Sequence, residues 1–237
     1  MRPTALVTGG GSGIGQAIVR VLDEVAWVAA LDVKFSQDDR PASFQAEVDV
    51  TDRKALSEAV AEVAGTRGGI DWLVCAAGIT RDRVSWKMTD ADWDDVIAVN
   101  LTGAFNATRA VTGWLRKSPH GRVVFVGSIN GTRGRFGQAN YAASKAGLVG
   151  LARSLAVELA RDGVTVNVVT PGFIDTPMTR KLSQDVHLRA LSATPLGRMG
   201  HPEEVAATVN FLCSEAAGFV TGVVLPVDGG QLLGAAT

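Results

Sequence analysis

The chain has 237 residues, 46% of them hydrophobic and 20% charged, with 23 Lys and Arg against 24 Asp and Glu. This length and composition suit one α/β domain over residues 1–237 with a sizeable core. The net charge of −1 comes without a basic block or an acidic tail, which argues against nucleic-acid binding and against a charged disordered segment. Cys75 and Cys213 form neither a disulfide framework nor a metal-spaced cluster, so no metal site is expected and a reducing cytoplasm is the expected setting. Met1-Arg2-Pro3-Thr4 leads straight into an apolar strand, too short for a signal peptide, and no apolar run reaches the length of a membrane span. His120, His187 and His201 are far apart in polar contexts and are expected at the surface.

Ala5-Leu6-Val7-Thr8 reads as a strand, Gly9 to Gly15 as a glycine loop, and the next stretch as a helix with Ala17, Ile18, Val21 and Leu22 inward. In that order a glycine cluster gains meaning. Gly9, Gly13 and Gly15 leave room for a pyrophosphate against bare backbone, and the helix N-terminus, with Ser12 and Ile14 beside it, supplies free N–H donors. A flexible connector is the plainer alternative. Trp27 to Asp32 is a strand ending in a carboxylate 17 residues past Gly15, near the interval of about 20 at which an acid binds an adenosine ribose. Asp32 would accept bonds from both ribose hydroxyls and repel a 2′-phosphate, and Ser12 stands where a phosphate-binding arginine could have been. Both features favour NAD(H) over NADP(H).

Phe44 to Val50 is expected as the third strand, and Thr51 as the cap of a helix with Leu56, Val60 and Val63 inward. Asp71 to Cys75 is a fourth strand that runs into the small residues Ala76-Ala77-Gly78, where a flat ligand can approach closely. Thr89-Asp90 begins a long helical region whose buried face is interrupted by Asn100. Residues 121–128 form a fifth strand with Ser128 at its end, at the mouth of the crevice that parallel sheets open beyond their carboxyl ends. Asn130 to Gln138 is expected as a loop, and Ala139 to Arg161 as a helix with Leu148, Leu151, Leu155 and Leu159 inward. Thr165 to Thr170 is a sixth strand, and residues 173–199 after it have weak periodicity and suggest a functional lid. Pro202 to Cys213 is a last helix and Val223 to Val227 a last strand.

Tyr141 is the sole tyrosine of the chain, and Lys145 follows four residues later, on the same helix face. A neighbouring positive charge lowers a phenol's pKa, and a phenol titrating nearer the working pH can exchange a proton with a substrate. The spacing equally fits an ordinary helix with a half-buried tyrosine beside a solvated lysine, and the pair alone leaves both readings open.

Strands alternating with helices imply a doubly wound, Rossmann-type parallel sheet of seven strands with helices on both faces. With the glycine loop, Asp32, Ser128 and Tyr141-x-x-x-Lys145 in order, the chain resembles the short-chain dehydrogenase/reductase family from Thr8 to Gly230. The resemblance implies a catalytic group of Asn100, Ser128, Tyr141 and Lys145. In it Tyr141 exchanges the proton with the substrate oxygen and Ser128 bonds that oxygen. Lys145 lowers the phenol pKa and holds the nicotinamide ribose, while Asn100, also near the cofactor, positions a water behind Lys145. It further places Asp49 and Val50 beside adenine, Ala77 and Gly78 along the ribose, and Pro171, Gly172, Ile174 and Thr176 near the carboxamide and pyrophosphate. Family members often carry Asn-Asn-Ala-Gly where this chain has Cys75-Ala76-Ala77-Gly78, so the bracing of that strand must differ; Cys75 reads as a small buried residue.

Gly78-Ile79-Thr80-Arg81-Asp82, Gly137 to Lys145, and Pro171 to Thr176 resemble 3-oxoacyl-acyl-carrier-protein reductases and acetoacetyl-CoA reductases, most of which use NADPH; Asp32 departs from that habit. The implied substrate is a 3-oxoacyl thioester or its 3-hydroxyacyl form. A sugar, steroid or cyclic alcohol is the alternative, and a nonenzymatic dinucleotide sensor is the alternative of another class. An acyl carrier protein would need a basic rim, for which Arg116, Lys117, Arg133, Arg135 and Arg161 are the candidates. The resemblance also implies a homotetramer.

Overall fold

In a computed structural model, residues 2–35 and 42–234 are described, so the ends of the expected 1–237 span lie outside them. Among the described residues, seven parallel strands form one sheet: β1 (Thr4–Thr8), β2 (Trp27–Asp32), β3 (Phe44–Glu47), β4 (Trp72–Cys75), β5 (Arg122–Val126), β6 (Thr165–Pro171) and β7 (Val224–Val227), in the order β3-β2-β1-β4-β5-β6-β7. β1, β4, β5 and β6 are buried along their whole length. Continuous Val, Leu and Ala runs follow from that, because a parallel sheet is covered on both faces. The edge strand β3 alternates in exposure, and the other edge, β7, holds Pro226, whose missing N–H a central strand would not tolerate.

One face of the sheet packs under α2 (Arg53–Arg67), α4 (Gly103–Leu115) and α6 (Ala139–Glu158), around Leu56, Val63, Val111, Phe125 and Leu148. The other packs under α1 (Gly13–Asp23) and α8 (Pro202–Cys213), around Ile18, Leu22, Val28, Val74 and Leu212. From β1 the chain winds outward to β2 and β3, then returns to β4 and continues the other way. The C-terminal ends of β1 and β4 therefore flank the switch point at which such sheets open a crevice.

Several boundaries differ from the sequence reading. β3 stops at Glu47 because β2, its only partner among the described residues, ends at Asp32; Val48 to Val50 leave the sheet. The cap of α2 is Asp52, whose carboxylate accepts the N–H groups of Lys54 and Ala55, while Thr51 Oγ1 donates to Asp49. In α1 Val19 is buried and Val21 only half-buried, and in α6 Leu151 is half-buried. The stretch read as a loop after β5 contains a short helix, α5 (Asn130–Arg133). The long helical region divides into α3 (Asp90–Ile97), a π-helical turn over Ala98–Thr102 and α4. Residues 173–199 hold a turn at Thr179–Lys181 and α7 (Gln184–Ser192). None of the residues of α7 is fully buried, which is why its sequence shows so little periodicity. His120 and His201 are exposed, but His187 packs edge-on against Phe173, ring centroids 5.3 Å apart. No helix among the described residues is long and apolar enough to cross a membrane.

Candidate active site

A cleft of about 620 Å³ opens beyond the carboxyl ends of β1, β4, β5 and β6. One end is made of backbone. The N-terminus of α1 has no side-chain cap, so its first N–H groups keep no partner of that kind, and Ser12, Gly13, Ile14 and Gly15 line the cleft there. A Cβ on Gly15 would lie 1.9 Å from the Gly9 carbonyl oxygen, and one on Gly9 would lie 2.4 Å from the Ala77 nitrogen. Glycine is thus required by close approach of backbone to backbone, and the result is a bare cradle at a helix N-terminus that fits a pyrophosphate. The same contact braces Cys75-Ala76-Ala77-Gly78, together with an Ala76 N–H bond to the Thr8 carbonyl at 3.0 Å. Cys75 is buried beside Ala104, and burial pushes its thiol up to about 12, which leaves it without nucleophilic character.

At the rim, Asp32 Oδ2 accepts the N–H of Gly11 at 2.9 Å and Oδ1 that of Val33 at 2.7 Å. The carboxylate is therefore fixed at the end of β2. Asp49 and Val50 line the same end of the cleft, and Ala77 and Gly78 its floor. Pro171, Gly172, Ile174 and Thr176 line the opposite wall, where Thr176 packs over Gly13, 3.6 Å from where a Cβ would stand.

The other end is made of side chains. Ser128, Tyr141 and Lys145 all line the cleft. Tyr141 is half-buried, and burial holds its phenol above the ordinary tyrosine range, opposed by a hydrogen bond with Ser128 and by the Arg135 charge and reinforced by Asp82; the lowering expected from Lys145 is thus outweighed by the loss of solvent around the ring. Lys145 is buried; Nζ donates to the Val126 carbonyl at 2.8 Å and lies 5.7 Å from the centre of the Tyr141 ring. Burial lowers its pKa to about 8.

Asn100 does not line the cleft. It sits buried behind it in the π-turn, a distortion common at functional sites. Its Oδ1 accepts the Ile79 N–H at 2.8 Å, and Nδ2 donates to the Ile79 carbonyl and to Ser144 Oγ. Ser144 donates in turn to the Tyr141 carbonyl. Asn100 Oδ1 and Lys145 Nζ each lie 3.4 Å from the point where a Gly78 Cβ would stand. Arg81 and Asp95, an ion pair at 3.8 Å, also line the cleft, and the sequence carried no sign of their approach because they lie on separate elements. The five basic candidates are not together. Arg116, which pairs with Asp162, and Lys117 follow α4 and Arg161 follows α6, at the end of the sheet where β5 and β6 begin. Arg133 and Arg135 follow β5, at the cleft end.

A helix N-terminus on bare backbone, a fixed rim carboxylate and a Ser, Tyr and Lys at the far end define a dinucleotide-dependent oxidoreductase. Comparison with known proteins makes the assignment specific. A family model described as enoyl-(acyl carrier protein) reductase matches residues 9–231. The 3-oxoacyl-(acyl-carrier-protein) reductase MabA of Mycobacterium avium is 44% identical over 231 residues, covering 98% of this chain and 90% of that protein. The acetoacetyl-CoA reductase of Rhizobium meliloti is 43% identical over 239 residues, covering 98% and 99%. The crystal structure of gox2181 superposes with a TM-score of 0.92 at 35% identity, covering 98% of this chain and 96% of that one. The chain belongs to the short-chain dehydrogenase/reductase family. It is an oxidoreductase that acts on a CH–OH group or the matching carbonyl with a nicotinamide dinucleotide, and the sensor reading is set aside.

Proposed function

We propose that this enzyme uses NAD(H), in preference to NADP(H), to interconvert a 3-oxoacyl thioester and its 3-hydroxyacyl form. The observation that carries the reading is the meeting of Ser128, Tyr141 and Lys145 in the cleft whose other end holds the glycine cradle and Asp32. When bound, the dinucleotide supplies or accepts the hydride. In reduction, the Tyr141 phenol gives its proton to the substrate oxygen. Ser128 accepts the Asn130 N–H at 3.1 Å, which leaves its one O–H to turn from the Tyr141 phenol to that oxygen and stabilise the developing charge. Lys145 holds the nicotinamide ribose and favours the phenolate left on Tyr141. Asn100, facing the same small space as Lys145, positions the water that returns a proton to it.

The acyl thioester is supported by the relatives: MabA is a 3-oxoacyl-(acyl-carrier-protein) reductase and the Rhizobium meliloti protein an acetoacetyl-CoA reductase. An acyl carrier protein would meet Arg133 and Arg135 at the cleft end; the other three basic residues lie too far round to share that rim. A homotetramer working in the reducing cytoplasm completes the reading. Phe105 on α4 and Val157 on α6 are 41% and 79% exposed, as faces awaiting a partner subunit would be, and sedimentation at several concentrations tests this.

Paired initial rates with acetoacetyl-CoA test the activity and the cofactor together. NADH is expected to be the better donor, because the fixed Asp32 carboxylate bonds ribose hydroxyls and repels a 2′-phosphate. Asp32→Ser is expected to shrink that preference about ten- to a hundredfold, the loss of charge-assisted hydrogen bonds. A higher rate with NADPH in the wild type would overturn the cofactor assignment. Turnover confined to sugars, steroids or cyclic alcohols would overturn the substrate while leaving the site intact.

A further inference from the structure

A hydrogen-bonded chain runs beside Tyr141 and is used by no step above. Arg133 Nε donates to Asn130 Oδ1 at 3.0 Å, Asn130 Nδ2 donates to Gln138 Oε1 at 3.0 Å, and Gln138 Nε2 donates to Asp82 Oδ2 at 2.8 Å. Arginine can only donate and a carboxylate only accept, so the two ends dictate the orientation of both amides between them. Every link points the same way, from a cation to an anion. Asn130 and Gln138 are 8% and 6% exposed. At such burial an unpaired amide is costly, and a fully paired one holds its neighbours in one arrangement.

The chain joins the two segments that flank Tyr141. Asn130 and Gln138 begin and end the stretch between Ser128 and α6, and Asp82 lies on the stretch after β4. A backbone bond from Arg83 N–H to the Gly137 carbonyl at 2.7 Å runs alongside. Asn130 also has a direct hold on the chemistry, since its own N–H donates to Ser128 Oγ. Its neighbour Gly131 packs so closely on α6 that a Cβ there would lie 2.8 Å from the Ala146 nitrogen, which leaves α5 little room to shift against the Lys145 turn.

We infer that Asn130 is a positioning residue: through Gln138 it fixes Asp82, and through its own backbone it fixes Ser128, so that both face the Tyr141 phenol in one geometry. The inference rests on the assignment of Tyr141 and Ser128 to proton transfer. The groups facing the phenol are Ser128, Asp82, Arg135 and the Lys145 ammonium beneath the ring. Of these, Ser128 and Asp82 answer to Asn130. Ser128 favours the phenolate and Asp82 disfavours it, and the Gln138 amide partly offsets the Asp82 charge; breaking the chain at Asn130 lets Ser128 drift off, and breaking it at Gln138 also leaves Asp82 without that donor, so either break raises the phenol's pKa.

Because Tyr141 is the only tyrosine, its titration can be followed with no substrate. The enzyme is labelled with ¹³Cζ-tyrosine and its one resonance is titrated in wild type, Asn130→Leu, Gln138→Met and the double variant, with folding checked by circular dichroism and NADH binding. Each single variant is expected to raise the midpoint by about one unit, equivalent to one lost hydrogen bond. The double variant is expected to go no further, because both break one chain. With acetoacetyl-CoA, kcat should fall more than tenfold with little change in KM. If Asn130→Leu does not fold, Gln138→Met carries the test. A midpoint unmoved or lowered in the variants that fold, or single shifts that add in the double variant, would overturn the inference. Tyr141→Phe serves as the separate control: undiminished turnover there removes the acid assignment without touching the titration result.

Discussion

Toward β1 and β2 the cleft is made of what side chains leave out; toward β5 and α6 it is made of side chains in costly places. At the first end, Gly9 and Gly15 let backbone meet backbone at distances that no Cβ permits. Fold and binding surface want the same thing there. At the second end, a buried lysine ammonium and a half-buried phenol sit in surroundings that oppose their charged forms. Fold and chemistry want opposite things there. Mutation should therefore affect stability with opposite sign at the two ends while harming activity at both.

The largest effect is expected from Tyr141→Phe, which removes the proton and little volume. Turnover should fall about 10²- to 10⁴-fold, the usual worth of a positioned general acid, with NADH binding by fluorescence titration unchanged. Loss of NADH binding instead would mean that the two ends are not separable in this way.

Lys145→Met is the sharper test of the sign. The folded pKa of about 8 lies below the ordinary 10.5, so between those values the unfolded chain binds the proton more tightly. The folded state carries the whole penalty below about pH 8, and the penalty fades as pH rises toward 10.5. The variant should gain on the order of 2 kcal/mol at pH 7, after the lost bond to Val126 is counted. That gain should be gone by about pH 10.5, as urea midpoints at the two pH values would show. A variant less stable than wild type at pH 7 would break the contrast.

Gly15→Ala should act the other way. The added methyl meets the Gly9 carbonyl oxygen, and overpacking of this kind costs about 1–3 kcal/mol, read as a lower denaturant midpoint. NADH binding should weaken with it, because the cradle is the part displaced.

Much of this was legible in the residues because the signals were local. A run such as Ala5-Leu6-Val7 followed by glycines and an amphipathic stretch states a strand, a turn and a helix within about 20 residues. Parallel sheets leave the run of buried side chains unbroken. The last helix was bounded correctly from Pro202 to Cys213 because proline favours the first helical position. What failed was also local competition: Asp52 rather than Thr51 caps α2 because Thr51 Oγ1 is engaged by Asp49, and neighbouring side chains cannot be ranked without their geometry.

The sequence by itself determined the alternating plan of the sheet, the glycine loop before α1, the acid at the end of β2, and a tyrosine and lysine one helical turn apart. Spacing along the chain is enough for those. Only the tertiary structure decided that Asn100 stands behind the cleft wall holding Ile79, that Arg116 and Arg135 lie at opposite ends of the sheet, and that Arg133, Asn130, Gln138 and Asp82 form one directed chain. Each of these depends on a meeting between elements that are distant in sequence or on the orientation of a buried amide. Hydrophobic periodicity tells a residue which side to turn inward. It does not say which polar atom waits there, and that is settled when the packed core brings donors and acceptors within 3 Å and leaves them no water to choose instead.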